Sequence, residues 1–69
     1  MSNSKIEITL YHVDKSTSSF VGTRDNLDSI LNEAKVFISM YHMYPRYVTV
    51  NYTRFDKLPT KEEVLSSLK

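Results

Sequence analysis

The chain has 69 residues, nine basic and eight acidic side chains, two histidines and no cysteine. That length bounds it to one small domain, residues 1–69, with a limited core, and the lack of cysteine excludes disulfides and thiolate zinc sites. A net charge of +1 is neither the strongly acidic profile of a DNA mimic nor the basic surplus from which most nucleic-acid binders draw affinity by counterion release.

Residues 5–13, "KIEITLYHV", alternate: Ile6, Ile8 and Leu10 share one face, and Glu7, Thr9 and Tyr11 share the other. This period of two, rich in β-branched residues, predicts a strand with one buried face. His12 continues the Ile6–Ile8–Leu10 parity and reads as a polar residue where the strand leaves the core. "DKSTSS", residues 14–19, is a run of turn-forming types and predicts a hairpin loop. "SFVGTR" follows as a shorter second strand. Its Gly22, the only glycine, marks a bulge or a close backbone approach.

From Asp25 the period changes. Leu27, Ile30, Leu31, Ala34, Phe37, Ile38 and Tyr41 recur at steps of three and four, the pattern of an amphipathic helix. Asp25 is the expected N-cap. Pro45 disfavours helical geometry at Tyr44, which should stop the helix near Met43. His42 falls on its polar stripe.

Residues 46–55, "RYVTVNYTRF", alternate again and predict a third strand. Val48, Val50 and Tyr52 share its inward face. Tyr47, Thr49, Asn51, Thr53 and Phe55 share the other. After a turn at "DKLP", Thr60 and Glu63 have the spacing of a capping box and open a short last helix, residues 60–69, with Val64, Leu65 and Leu68 on its apolar edge. The expected fold class is α+β, with order β-β-α-β-α. It has a three-stranded antiparallel sheet of order 2-1-3, one long amphipathic helix on one face and a short C-terminal helix. The other face of the sheet is expected to be partly open.

Catalytic and metal chemistry find little support. Zinc needs three or four ligands, whereas His12 and His42 stand without a cluster of further donors. No serine sits in a nucleophile-elbow setting, and Glu33, Glu62 and Glu63 fall on solvated helix faces. No enzyme activity, metal or cofactor is expected. The opening "MSNSKIEI" lacks the apolar run of a signal peptide, and no stretch approaches the roughly 20 apolar residues of a membrane span. A cytoplasmic protein with no membrane partner is therefore expected.

The segment "MYHMYPRYVTVNY", residues 40–52, holds four of the five tyrosines. Tyr41 belongs to the helix stripe and Tyr52 to the inward strand face, so both read as core. Tyr44, Arg46 and Tyr47, around Pro45, are claimed by neither period and form the candidate partner-binding patch, since tyrosine and arginine suit interfaces.

The stretches "RDNLDSILNEA", "MYHMYP" and "RYVTVNYTRF" give residues 5–55 a layout that resembles small phage-encoded host-takeover proteins of the podovirus RNA polymerase inhibitor type. Those too have a hairpin, an amphipathic helix with an aromatic end, a proline and a valine-rich strand. Residues 60–69 have no counterpart there, and no functional residue carries over. The resemblance implies a non-enzymatic protein that binds and blocks a large host protein. The expected function is thus a small protein-binding module, an inhibitor or modulator. The alternative is a nucleic-acid-binding module built on Arg46, Tyr47, Arg54 and Lys57, in which cations and rings alternate. Self-association into a homodimer through the open face or a sheet edge is a third reading, compatible with the protein-binding module.

Overall fold

The computed structural model describes residues 5–68. Met1–Ser4 and Lys69 lie outside them, and with them the first half of the opening stretch "MSNSKIEI" and the last residue of the expected C-terminal helix. The fold is α+β: β1 (Lys5–His12), β2 (Thr17–Thr23), α1 (Leu27–Tyr41), β3 (Pro45–Val50), β4 (Thr53–Phe55) and α2 (Lys61–Ser67). The sheet is antiparallel throughout and has four strands in the order β2-β1-β3-β4. The expected 2-1-3 arrangement is present, extended by β4.

β1 is the central organiser. Ile6, Ile8 and Leu10 are fully buried, and across the ladder they meet Val48 and Val50 of β3 on the same face. Helix α1 closes that face with Leu27, Ile30 and Ala34. Phe37 continues the stripe and meets Phe20 of β2 edge-on at a centroid distance of 5.8 Å. Each such aliphatic side chain, taken from water, is worth about 1.5–3 kcal/mol. Helix α2 completes the core with Val64, fully buried. Its capping box is formed: Thr60 Oγ1 accepts from the Glu63 amide at 3.2 Å, and Glu63 Oε1 accepts from the Thr60 amide at 2.9 Å.

Four expectations are corrected. First, the hairpin loop is shorter than residues 14–19. Lys15 takes φ 75° and its amide closes a turn onto the His12 carbonyl, so that Thr17 and Ser18 join Ser19 in β2. Second, Asp25 is not the N-cap. Arg24–Asn26 form a 3-10 turn, Asn26 stands at the cap position without a side-chain cap bond, and the Leu27 amide is satisfied by the Arg24 carbonyl. Third, α1 ends at Tyr41, and His42 leaves the polar stripe to become the C-cap in the left-handed region, φ 55°.

The fourth correction reshapes the sheet. Residues 46–55 are not one strand, because Asn51 and Tyr52 both take positive φ, 48° and 76°. They form the two-residue turn of a hairpin whose twist suits antiparallel strands. The turn reverses the parity beyond it. Phe55 lands opposite Val48 on the core face, and Arg54 lands opposite Thr49 on the open face. Tyr52, expected inside, is fully exposed, and Tyr41, on the flank of the helix, is 58% exposed.

Gly22 marks a close approach. A Cβ placed there would lie 3.0 Å from Ile30 Cγ2 and 3.4 Å from Ile30 Cδ1, while the β1–β2 register runs through it unbroken. Alanine at this site would gain about 0.4–1 kcal/mol from the unfolded chain but would overpack a buried helix contact at about 1–3 kcal/mol. Gly22→Ala is therefore expected to lower the unfolding free energy by about 1 kcal/mol in urea denaturation. The loss should shrink on an Ile30→Leu background, which moves the branch methyl away. An equal loss on both backgrounds would show that Ile30 is not the obstacle.

Candidate functional site

With α1 and α2 both packed on the Ile6–Ile8–Leu10 side, the opposite face of the sheet carries no covering element among the described residues. β1 sends Lys5, Glu7, Thr9 and Tyr11 to it, following the alternation of the strand, and these line a shallow basin of ≈ 530 Å³ together with Thr49, Asn51 and Tyr52. Thr9 stands between Ser19 of β2 and Thr49 of β3 in the ladder. The Thr9 and Ser19 hydroxyls are 3.5 Å apart. The face is thus polar and hydroxyl-rich, with Lys5 and Glu7 as the charged side chains that β1 contributes.

Its one large ordered feature is a three-layer stack. Tyr11 and Tyr47 are cross-strand partners, with ring centroids 4.6 Å apart and planes 14° from parallel. On the far side of Tyr47 from β1, Arg54 of β4 holds its guanidinium carbon 4.3 Å from the Tyr47 centroid. The strand order β1-β3-β4 therefore places a ring on one flank of Tyr47 and a cation on the other. Aromatic pairs of this kind contribute about 0.5–1.5 kcal/mol beyond area, and an exposed cation–π contact about 0.5–1 kcal/mol.

Asn51 holds the rim. Its Oδ1 accepts from the Glu7 amide at 2.9 Å, its Nδ2 donates to the Lys5 carbonyl at 3.2 Å, and its own amide donates to the Glu7 carbonyl at 3.1 Å. The side chain thus continues the β1–β3 ladder past the end of β3.

The residues singled out from sequence are distributed unevenly. Tyr47 and Arg54 come together in the stack. Arg46, next to Tyr47 on the strand, points to the opposite side and is exposed. Tyr44, 67% exposed, belongs to a separate cleft with His12, Val13, Asp14, His42 and Met43 at the end of the helix. Lys57 lies beside α1, in a groove with Asp28, Leu31 and Lys35. Tyr44, Arg46 and Tyr47 therefore do not form one continuous patch, and of the basic set only Arg54 joins Tyr47.

Tyr11 was not singled out, although a signal existed. It shares the parity of Glu7 and Thr9, as Tyr47 shares that of Thr49, and adjacent strands put the two on one face. His12, expected as a bland strand end, is buried at 3% exposure. Its Nε2 bonds the Ser18 hydroxyl at 3.0 Å, and its Nδ1 has no partner among the described residues. Those residues hold no group of three or more His, Cys, Asp or Glu side chains placed to bind a metal ion. No helix among them is long and apolar enough to cross a membrane. Comparison with known proteins finds no matching family model, curated relative or solved structure.

The stack is measurable by a double-mutant cycle. Tyr11→Ala and Tyr47→Ala should couple by about 0.5–1.5 kcal/mol in unfolding free energy. Additive losses would show that the rings do not support one another.

A second test concerns the hairpin at the Tyr44 cleft. The Asp14 carboxylate accepts from the Ser16 hydroxyl at 2.6 Å and the Ser16 amide at 3.0 Å, and these bonds, with the nearby His12 ring, hold its pKa below the usual carboxylate value. A folded value below the unfolded one means the turn is at full strength above the unfolded pKa and loosens as pH falls through the folded one. In an NMR titration Ser16→Ala should move the Asp14 midpoint upward. An unmoved midpoint would rule out Ser16 as the main cause.

Proposed function

We propose that this chain is a non-enzymatic protein-binding module that uses the uncovered sheet face, with Tyr11, Tyr47 and Arg54 as its anchor. The observation that carries this reading is the stack itself: two tyrosines and an arginine pre-ordered on a face that neither helix covers. Tyrosine and arginine are the side chains through which interfaces concentrate their binding energy. Side chains already held by one another lose less freedom when a partner arrives. Around them Thr9, Ser19, Thr49 and Asn51 supply the hydrogen-bonding rim of a non-obligate interface. The resemblance of the sequence layout to phage host-takeover proteins would imply the same class of partner, a large host protein in the cytoplasm that binding would block.

The nucleic-acid reading has less behind it. A base needs a ring face to stack on, and Tyr47 has Tyr11 on one side and Arg54 on the other. Arg46 and Lys57 lie away from the stack, and the net charge of +1 supplies little counterion release.

The test compares surfaces in affinity capture from a host lysate read by mass spectrometry. Tyr47→Ala or Arg54→Ala should weaken capture by tenfold or more, about 1.4 kcal/mol, whereas Tyr44→Ala and Arg46→Ala should leave it near wild type. The reverse pattern would move the site to the helix–strand junction. Tight single-strand binding at low salt that collapses as salt rises would instead establish the nucleic-acid module.

A further inference from the structure

We propose that β2 is the seam of a homodimer, in which two copies pair their β2 strands antiparallel across a two-fold axis and join their sheets into one. Among the described residues, β2 (Thr17–Thr23) has a strand on one side only. The ladder's alternation makes residues 18, 20 and 22 bond to β1, since the His12 amide bonds the Ser16 carbonyl at the hairpin end and the pattern repeats every second residue. Thr17, Ser19, Val21 and Thr23 therefore turn their amides and carbonyls outward.

Natural sheets blunt such edges with charge, proline, bulges or a very short strand. "TSSFVGT" has none of these: it contains neither charge nor proline, pairs with β1 without a register break, and runs seven residues. The opposite edge, β4, is only three residues long. The neutrality of β2 suits a second copy as the occupant, because two copies of it meet without opposing like charges.

Beside this edge lies an apolar strip that the fold leaves uncovered. Phe20 of β2 and Val36, Phe37, Met40 and Tyr41 of α1 line one groove, with Glu33 its only charged side chain. Met40 is 63% exposed, and Val21 on the strand's other face is 52% exposed. A second copy supplies both things this side lacks, a strand to pair with and an apolar helix flank to pack on.

The register follows from the strand. Pairing Thr17 with Thr23 of the second copy and Ser19 with Val21 of the second copy uses every outward group. It places the axis at Phe20, where the two rings meet in the close, non-hydrogen-bonded position. A seam about 23 Å long and, with the helix flank, about 20 Å deep offers on the order of 500 Å² per copy, against the roughly 800 Å² of a standard interface. The dimer is therefore weak and dissociable, populated only toward the upper end of the micromolar concentration range.

Sedimentation velocity from low micromolar to several hundred micromolar, paired with amide hydrogen exchange at both ends of the range, tests this. The expected result is a monomer–dimer equilibrium in which the Thr17, Ser19, Val21 and Thr23 amides become protected only at high concentration. Ser19→Pro removes an outward amide without touching the β1 ladder. Val21→Lys adds the charge that natural edges use. Met40→Lys acts on the helix flank alone. Each should raise the dissociation constant about tenfold or more, with the circular dichroism of the monomer unchanged. A monomer throughout, leaving the edge for a foreign strand, would overturn the proposal. So would a dimer in which those four amides stay unprotected, since that dimer would use another surface.

Discussion

Much of this structure depends on a two-residue turn in an uncommon backbone conformation. Asn51 takes φ 48° and Tyr52 φ 76°, and a side chain in the left-handed region ordinarily costs about 1 kcal/mol or more. Asparagine tolerates that region best among residues with a side chain. Here its amide group also bonds the β1 backbone at Glu7 and Lys5, which offsets the cost and ties the turn to the centre of the sheet. Without the turn there is no β4. Phe55 would then not reach the core face opposite Val48, and Arg54 would not reach the open face, where it covers Tyr47.

The sidedness of the sheet follows from how little apolar material the chain has to distribute. Ile6, Ile8, Leu10, Val48 and Val50 all point one way, and both helices spend their buried residues there. A chain of this size does not supply a second layer. Apart from Val21, the remaining face is built from side chains that tolerate water: Lys5, Glu7 and Arg54, threonines, a serine, an asparagine, and tyrosines with a polar tip. Gly22 lets α1 sit low over β2, which tightens the covered side, while the outer flank of the helix, at Val36 and Met40, stays exposed. The exposed strip and the bare β2 edge thus have a common origin, a helix centred on β1 and β2 with nothing beyond it.

What was legible in the sequence was what periodicity encodes. β1, α1 and the inward parity of Val48 and Val50 follow from alternation and from three–four spacing. The capping box at Thr60 and Glu63 follows from a local hydrogen-bond pattern and formed as expected. The Asn51–Tyr52 turn was hidden because Val48, Val50 and Tyr52 continue a perfect alternation through it. The only mark was an asparagine, with no glycine after it to announce a positive φ. The extent of β2 was hidden for the opposite reason: "TSS" has no apolar alternation, and its strand conformation is imposed by pairing with Leu10 and Tyr11. Asp25 lost the cap because chain leaving an edge strand tightened into a 3-10 turn first, a tertiary demand that overrides cap preference. Of the candidate site, Tyr47 was legible as a residue but not as a stack, since Tyr11 and Arg54 reach it only through the strand order and the parity reversal.

The five tyrosines show how the fold sorts one residue type into different roles. Tyr52 occupies a turn tip and touches nothing that excludes water. Tyr41 leans on Phe37 at 4.9 Å and flanks the apolar strip, while Tyr44 borders the cleft at the end of the helix. Only Tyr11 and Tyr47 hold one another, and they do so on the central strands, where the backbone is bonded on both sides. A pair fixed there differs from an exposed ring on a loop, because its orientation is set before any partner arrives. Strand pairing at β2 would extend the sheet in its own plane and leave this face uncovered. Edge and face are therefore not competitors: a pairing that doubled the sheet would present the Tyr11–Tyr47–Arg54 stack twice on the same side of one continuous surface, so that two weak contacts to a repeated or symmetric partner would act together.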